Sequence, residues 1–298
     1  MKVAVTGSSG LIGSAVVGDL RSAGHQVIRL VRRAPAGADQ VRWDPRAPGA
    51  GLDPGVLEGT EAVLHFAGAP VARRWTPAYK AEIKASRVEG TRNLATVLAG
   101  LTSRPAVLIC GSAVGWYGKT GGREVDESAP SGSGFLAGVV REWEAAADPA
   151  REAGIRVVHC RSGVVLAKRG GMLGTTLSLF RVGLGARMGS GSHYLSWISL
   201  TDEVGAIAFL LASEGLSGPF DLTSPNPVTN ATYTAALARA VRRPALLSVP
   251  APVLRLAAGE LAEEILADVR ALPRRLLDAG YDFRYPDIDA ALAAELRQ

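Results

Sequence analysis

The segment that most limits what this chain can become is its first. KVAVTG, a run of β-forming residues, passes directly into Thr6-Gly7-Ser8-Ser9-Gly10-Leu11-Ile12-Gly13 and then into a helix-forming stretch, SAVVGDLRSAG. Glycines spaced G-x-x-G-x-x-G between a strand and a helix have separate jobs: the first permits a tight turn, the second lets backbone approach a pyrophosphate, the third lets helix pack close on strand. A pyrophosphate placed there meets unsatisfied N–H groups at the positive end of the helix dipole. No Lys-Ser or Lys-Thr follows the glycines, so the turn is not a nucleoside-triphosphate P-loop. Gly7, Ser9, Gly10, Leu11, Ile12 and Gly13 are the expected dinucleotide contacts. The competing reading is a glycine-rich turn without a ligand.

Strand-like and helix-like runs then take turns: QVIRLVRR, EAVLHFAG, a helical pattern from Pro77 to Gly100, AVLICGS, a helix from Phe135 to Ala153, and IRVVHCRSGVVL. Such alternation builds βαβ units, and strands nearly continuous in Val, Leu, Ile and Ala belong to a parallel sheet covered on both faces. The expected fold is α/β, a Rossmann-type doubly wound parallel sheet. The sheet's second strand, Gln26 to Val31, ends at Arg32-Arg33, where an NAD enzyme places an acid against the ribose 2′-hydroxyl. A guanidinium there binds a 2′-phosphate bidentately, so NADP(H) is expected over NAD(H), with a solvated surface pair as the alternative. HFAGAP ends the next unit on small residues that let the cofactor approach, which singles out Ala67 and Gly68; His65 in the same run reads as a satisfied core histidine.

After Leu166 glycine-dense segments appear, then a helix from Thr201 to Ser213 returns to a last strand, GPFDLTS. Residues 1–166 and 198–224 are expected to form the nucleotide domain, and 167–197 with 225–298 a smaller α+β substrate domain. With 47% hydrophobic and 20% charged residues, 298 residues bury a sizeable core. Net charge is +5, but the arginines come as scattered pairs without interleaved aromatics, which argues against nucleic acid. Cys110 and Cys160 lie in apolar runs and read as small buried hydrophobes. The four histidines show no metal-ligand spacing, so no metal is expected. Neither a secretory signal nor a membrane-spanning run is legible, so the expected setting is the cytoplasm. A monomer and a homodimer are equally compatible with the sequence.

TGSSGLIG, HFAGAPVARRW, SRVEGTRNL, GSAVGWYG, FLAGVVREWE, RSGVVL, SWISLTDEVGAIAFLL, FDLTSPNPVTN and LPRRLLDAGYDFRYPDIDAAL follow one another through the whole chain. In that order they resemble an atypical extended short-chain dehydrogenase/reductase of the NAD(P)-dependent epimerase/dehydratase family, a branch also labelled cell-division inhibitor homologue. The resemblance implies about seven strands and a small discontinuous C-terminal domain that closes over substrate. It also implies a catalytic Tyr with a Lys four residues later, which this chain lacks: none of its six tyrosines has one, and Phe135 and Val139 occupy the two slots. The family's Ser or Thr position is Ala113, with Ser112 one earlier, which leaves Ser112 and Tyr117 as the polar candidates for catalysis and Ser112 beside the cofactor. Arg87 takes the place of a structural Asn and is a candidate for cofactor or substrate phosphate. Asp202 is placed to cap its helix, and Trp43, Trp75, Trp116 and Trp143 read as packing or cleft-wall aromatics. Two readings follow: an NADP(H)-dependent oxidoreductase or sugar-nucleotide-type epimerase on an unknown small molecule, or a non-catalytic NADP(H)-binding regulator acting through a protein partner, with cell division as one setting.

Overall fold

The computed structural model describes residues 1–297. The chain opens with β1 (Lys2–Thr6), α1 (Leu11–Ser22), β2 (Gln26–Val31), β3 (Gln40–Arg42), β4 (Ala62–His65), α2 (Pro77–Ala99) and β5 (Val107–Ala113). A short β6 (Glu124–Val125) precedes α3 (Phe135–Ala145), α4 (Asp148–Glu152) and β7 (Arg156–Ser162). The chain then leaves the sheet through β8 (Val164–Leu166), α5 (Gly171–Arg181), β9 (Ala186–Met188), β10 (Tyr194–Leu195) and β11 (Trp197–Ser199). It re-enters by α6 (Leu200–Ala212) and β12 (Gly218–Leu222). The remainder runs through β13 (Val228–Thr229), α7 (Asn230–Val241), β14 (Leu247–Val249), α8 (Ala251–Ala258), α9 (Leu261–Ile265), β15 (Arg270–Ala271), α10 (Arg274–Asp278) and α11 (Ile288–Arg297).

Seven strands form one parallel sheet in the order β12-β7-β5-β4-β1-β2-β3, the doubly wound arrangement the sequence predicts. Strand order reverses between β1 and β4, and in open α/β sheets that point leaves a crevice beyond the carboxyl ends of the strands. Alternate residues feed two cores. Val5, Leu64, Ile109, Val158 and Phe220 pack with α1 and α6 on one face. Ala4, Val63, Leu108, Cys110 and Val157 pack with α2 and α4 on the other. Both cysteines are free and buried, and burial pushes the Cys110 thiol up to about 12. His65 is fully buried between Thr6 Oγ1 at 2.8 Å and Thr91 Oγ1 at 3.0 Å, and burial holds it down at about 4, as a satisfied core histidine. A third core joins Leu166, Leu173, Phe180, Trp197, Tyr233, Leu237 and Leu292 outside the sheet. Leu276 and Phe283 from the tail pack back onto the sheet's first core.

Two local expectations need correcting. The helix expected from Phe135 to Ala153 is two helices, α3 and α4, because Pro149 offers no N–H and its ring crowds the carbonyl four residues earlier. The cap of α6 is Ser199, whose Oγ accepts from Asp202 N at 2.9 Å; the Asp202 carboxylate instead accepts Arg284 N and Tyr285 N at 2.7 and 3.0 Å, tying the tail to α6. No helix among the described residues is long and apolar enough to cross a membrane.

Candidate functional site

The turn between β1 and α1 is glycine for measurable reasons. Gly7 has φ +65°, and a Cβ there would lie 2.6 Å from the Phe66 carbonyl and 2.8 Å from Ala67 N. A Cβ on Gly13 would lie 2.3 Å from Gly7 O, so the third glycine closes the turn on itself as well as packing the helix. Thr6 Oγ1 accepts from Ala67 N at 3.3 Å, which fastens the loop after β4 to the turn. Gly10 is the N-cap of α1 and supplies no side-chain acceptor, so the first-turn amides stay available to a ligand. Ser9 and Gly10 are exposed at the tip, while Leu11 and Ile12 are half-buried against the first core. The structure therefore brings Gly7, Ser9, Gly10, Leu11, Ile12, Gly13, Ala67 and Gly68 together at the crevice.

Cationic groups flank it on both sides. Arg32 and Arg33 are exposed just past β2 and form no ion pair with another described residue. Arg29, inside β2, was not singled out from the sequence: its Nε donates to Ser8 Oγ at 3.2 Å, at the glycine turn itself, and its Nη1 lies 3.8 Å from Asp39. The available signal was an arginine interrupting the apolar run QVIRLV. Opposite, Arg87 of α2 donates to Ala69 O at 3.0 Å and Ile83 O at 3.2 Å, lies over the Trp143 ring, and passes 3.3 Å from where a Gly68 Cβ would be. Burial holds its guanidinium below the usual arginine range, with only Tyr79 opposing. From the other half of the chain, a Cβ on Gly170 would stand 3.1 Å from Leu11 Cδ1, so the loop before α5 rests on the first residue of α1.

The two expected catalytic hydroxyls, Ser112 and Tyr117, are both engaged by buried carboxyl groups. Ser112 Oγ donates to Glu144 Oε1 at 2.6 Å on the α3 side of the sheet, because side chains alternate along β5 and Ala113 takes the opposite face. Tyr117 ends a one-turn helix and is 4% exposed, with its hydroxyl donating to both oxygens of the buried Asp221 at 2.9 and 2.7 Å. Arg161 completes this cluster: it grips Glu144 bidentately at 2.8 and 2.9 Å and donates to the Tyr117 oxygen at 3.2 Å. Burial and the Asp221 charge drive the Tyr117 phenol far above its ordinary value, and burial with the Glu127 charge does the same to Asp221. Glu144 is pushed up by burial but held low on balance by Arg161, His159 and Ser112. The cluster knits β5, β7, β12 and α3 together and gives both hydroxyls partners within the protein. A cavity of about 990 Å³ lies beside it, lined by Glu127, Glu144, His159, Arg161 and Pro219, but none of the glycine-turn residues reaches it.

The model of the NAD dependent epimerase/dehydratase family matches residues 3–218. The chain belongs to that family. A second model, a domain of unknown function, matches residues 249–295. An epimerase family protein of Mycobacterium tuberculosis is 48% identical over 97% of this chain and 96% of its own length. A chloroplastic epimerase family protein of Arabidopsis thaliana is 36% identical over 99% of this chain and 86% of its own. Among solved structures, human epimerase family protein SDR39U1, crystallised with NADPH, superposes with a TM-score of 0.90 at 30% identity, covering 100% of this chain and 99% of that one.

In this epimerase/dehydratase-family chain the slots for the usual Tyr and Lys are apolar in structure as in sequence. Phe135 packs against Trp75 with ring centroids 5.1 Å apart, and Val139 is buried with Trp75 and Ile83. The tryptophans read as packing groups are such: Trp43 stands edge-on to His65, Trp143 donates to Thr91 Oγ1, and Trp116 lies under Arg161.

Proposed function

We propose that this protein binds NADP(H) in preference to NAD(H) and uses it as an oxidoreductase or epimerase on a small molecule. One observation carries the reading: an uncapped helix start behind a positive-φ glycine, with Arg29, Arg32 and Arg33 gathered where the adenosine end would lie. The human relative's structure with NADPH supports the same choice. Gly7, Gly10 and the first-turn amides of α1 would hold the diphosphate, the arginines the 2′-phosphate, and Ala67 and Gly68 the neighbouring sugar. When bound, the nicotinamide supplies or accepts hydride. Residues 167–197 and 225–298 would then cover the substrate side, consistent with the contact of Gly170 on Leu11.

Calorimetry with NADPH and NADH tests the reading. NADPH should bind at least about tenfold tighter, a difference of about 1.4 kcal/mol. Absence of heat and of any melting shift with either nucleotide, oxidised or reduced, defeats it.

A further inference from the structure

With Ser112 and Tyr117 turned into the buried cluster, the crevice needs another proton source, and the register of the sheet shows one. Ala113 and Ser162 are paired neighbours at the carboxyl ends of β5 and β7. Both lie on the face served by α1 and α6, since Val107 and Ile109 on one strand and Val158 and Cys160 on the other join that core. Their neighbours on this face, Val5, Leu64 and Leu222, offer only hydrocarbon, as does Ala113. Ser162 is half-buried, and its Oγ lies 2.6 Å from Glu203 Oε1, a pair that the serine proton joins when Glu203 is a carboxylate and the carboxyl proton joins when it is neutral. Glu203, in the first turn of α6, is 0% exposed, and its other oxygen has no partner. A buried carboxylate with one oxygen unpaired is costly, whereas a neutral acid leaves only a carbonyl-type oxygen unmatched.

We propose that Ser162, positioned by Glu203, is the hydroxyl that passes a proton to or from the substrate oxygen in this protein. The inference rests on the cofactor reading above. In the reducing direction the Oγ–H proton moves to the substrate oxygen, the Glu203 carboxyl proton replaces it on Oγ, and Glu203 is left as carboxylate. The electron pair would reach the substrate carbon as hydride from reduced nicotinamide, and after product leaves a solvent proton returns to Glu203 by way of the half-buried Ser162 Oγ. The oxidising direction is the reverse. Burial supports the neutral starting state, holding Glu203 up at about 8 against the opposing pull of the Ser162 hydrogen bond. The other titratable groups around it do not undo this: Cys160 on β7 and Tyr281 from the tail are themselves driven up by burial, and Asp202, beside it in the first turn of α6, brings no positive charge.

The test is a titration of protein labelled with ¹³C at the glutamate δ-carbon, in which aspartates are silent and E203Q identifies the Glu203 signal. Expected is a midpoint near the high value above that falls by about one pH unit or more with NADP⁺ relative to NADPH. That is the size a cationic ring within about 8 Å produces at an effective dielectric of about 20. S162A should raise the midpoint, S162T should restore it, and S112A should leave it unmoved. Calorimetry on the same samples separates two failures: no nucleotide binding removes the cofactor reading and this proposal together, while binding with equal midpoints for both redox forms overturns this proposal alone. Because the Glu203 signal is also the one that S162A shifts and S162T restores, its assignment does not depend on E203Q alone.

Discussion

Replacing Glu203 by Gln should stabilise the fold, and by an amount that depends on pH in a calculable way. The folded carboxyl titrates at about 8 rather than 4.5, so the folded state keeps a proton that the unfolded state gives up. Stability contributed at this site is therefore intact at low pH, falls as pH rises from 4.5, and levels off above 8. At the free-energy equivalent of one pKa unit the full loss is about 5 kcal/mol, of which about half falls between pH 5 and 7. Against a net stability of roughly 5–15 kcal/mol that is large. Glutamine keeps the shape of the neutral acid and cannot ionise, so E203Q should match the parent near pH 5 and exceed it progressively at pH 6, 7 and 8. Urea unfolding of both proteins at each pH measures the difference, and subtraction cancels the other carboxyls, Asp221 among them. A difference that stays constant from pH 5 to 8 would show that Glu203 is not held protonated and would refute the reasoning.

Other substitutions probe the rest of the site. R32E should weaken NADPH by at least about tenfold and NADH much less, because it exchanges attraction for repulsion at the 2′-phosphate; calorimetry showing equal loss for both would remove Arg32 from that role. G7A should cost on the order of 1–2 kcal/mol for the left-handed backbone alone, with further loss from the contact at 2.6 Å with Phe66 and weakened nucleotide binding, read by thermal melting with and without NADPH. Y117F deprives the buried Asp221 of its donor and should destabilise by about 1–3 kcal/mol while leaving NADPH affinity unchanged; a stable variant with impaired nucleotide binding would contradict the structural role given to Tyr117.

The parts of the fold that the sequence reveals are those written in short-range pattern. A glycine that must take φ +65° and a helix that starts four residues later are local matters, and so are strands whose apolar runs reflect burial on two faces. Arg29 escaped notice because its partner Ser8 lies on a different βα unit, and only the pairing of β1 with β2 brings them together. The Glu144 partner of Ser112 was not legible, because one residue's displacement from Ala113 reverses the face and only the packed α3 supplies the carboxylate. The Asp221 partner of Tyr117 was not legible either, because motif spacing gives its position along the chain but not the direction in which the one-turn helix Val114–Tyr117 aims its ring. Ser162 and Glu203 carried no local signal, being joined only when α6 returns across the sheet.

The route of the chain between β7 and β12 also has a kinetic meaning. Residues 163–217 intervene between two strands that lie side by side, so the sheet stays one strand short until that excursion has been laid down and its ends brought together. Closing a long loop is an entropic toll met before its contacts give any return, which makes the last edge a late event in folding. The incoming strand is then latched by Asp221, whose carboxylate meets a phenol from beyond β5 and whose backbone N–H donates to Glu127 at 3.0 Å. Loosening that latch should release the β12 edge first and the glycine turn after β1, which lies inside the sheet between β4 and β2, only afterwards.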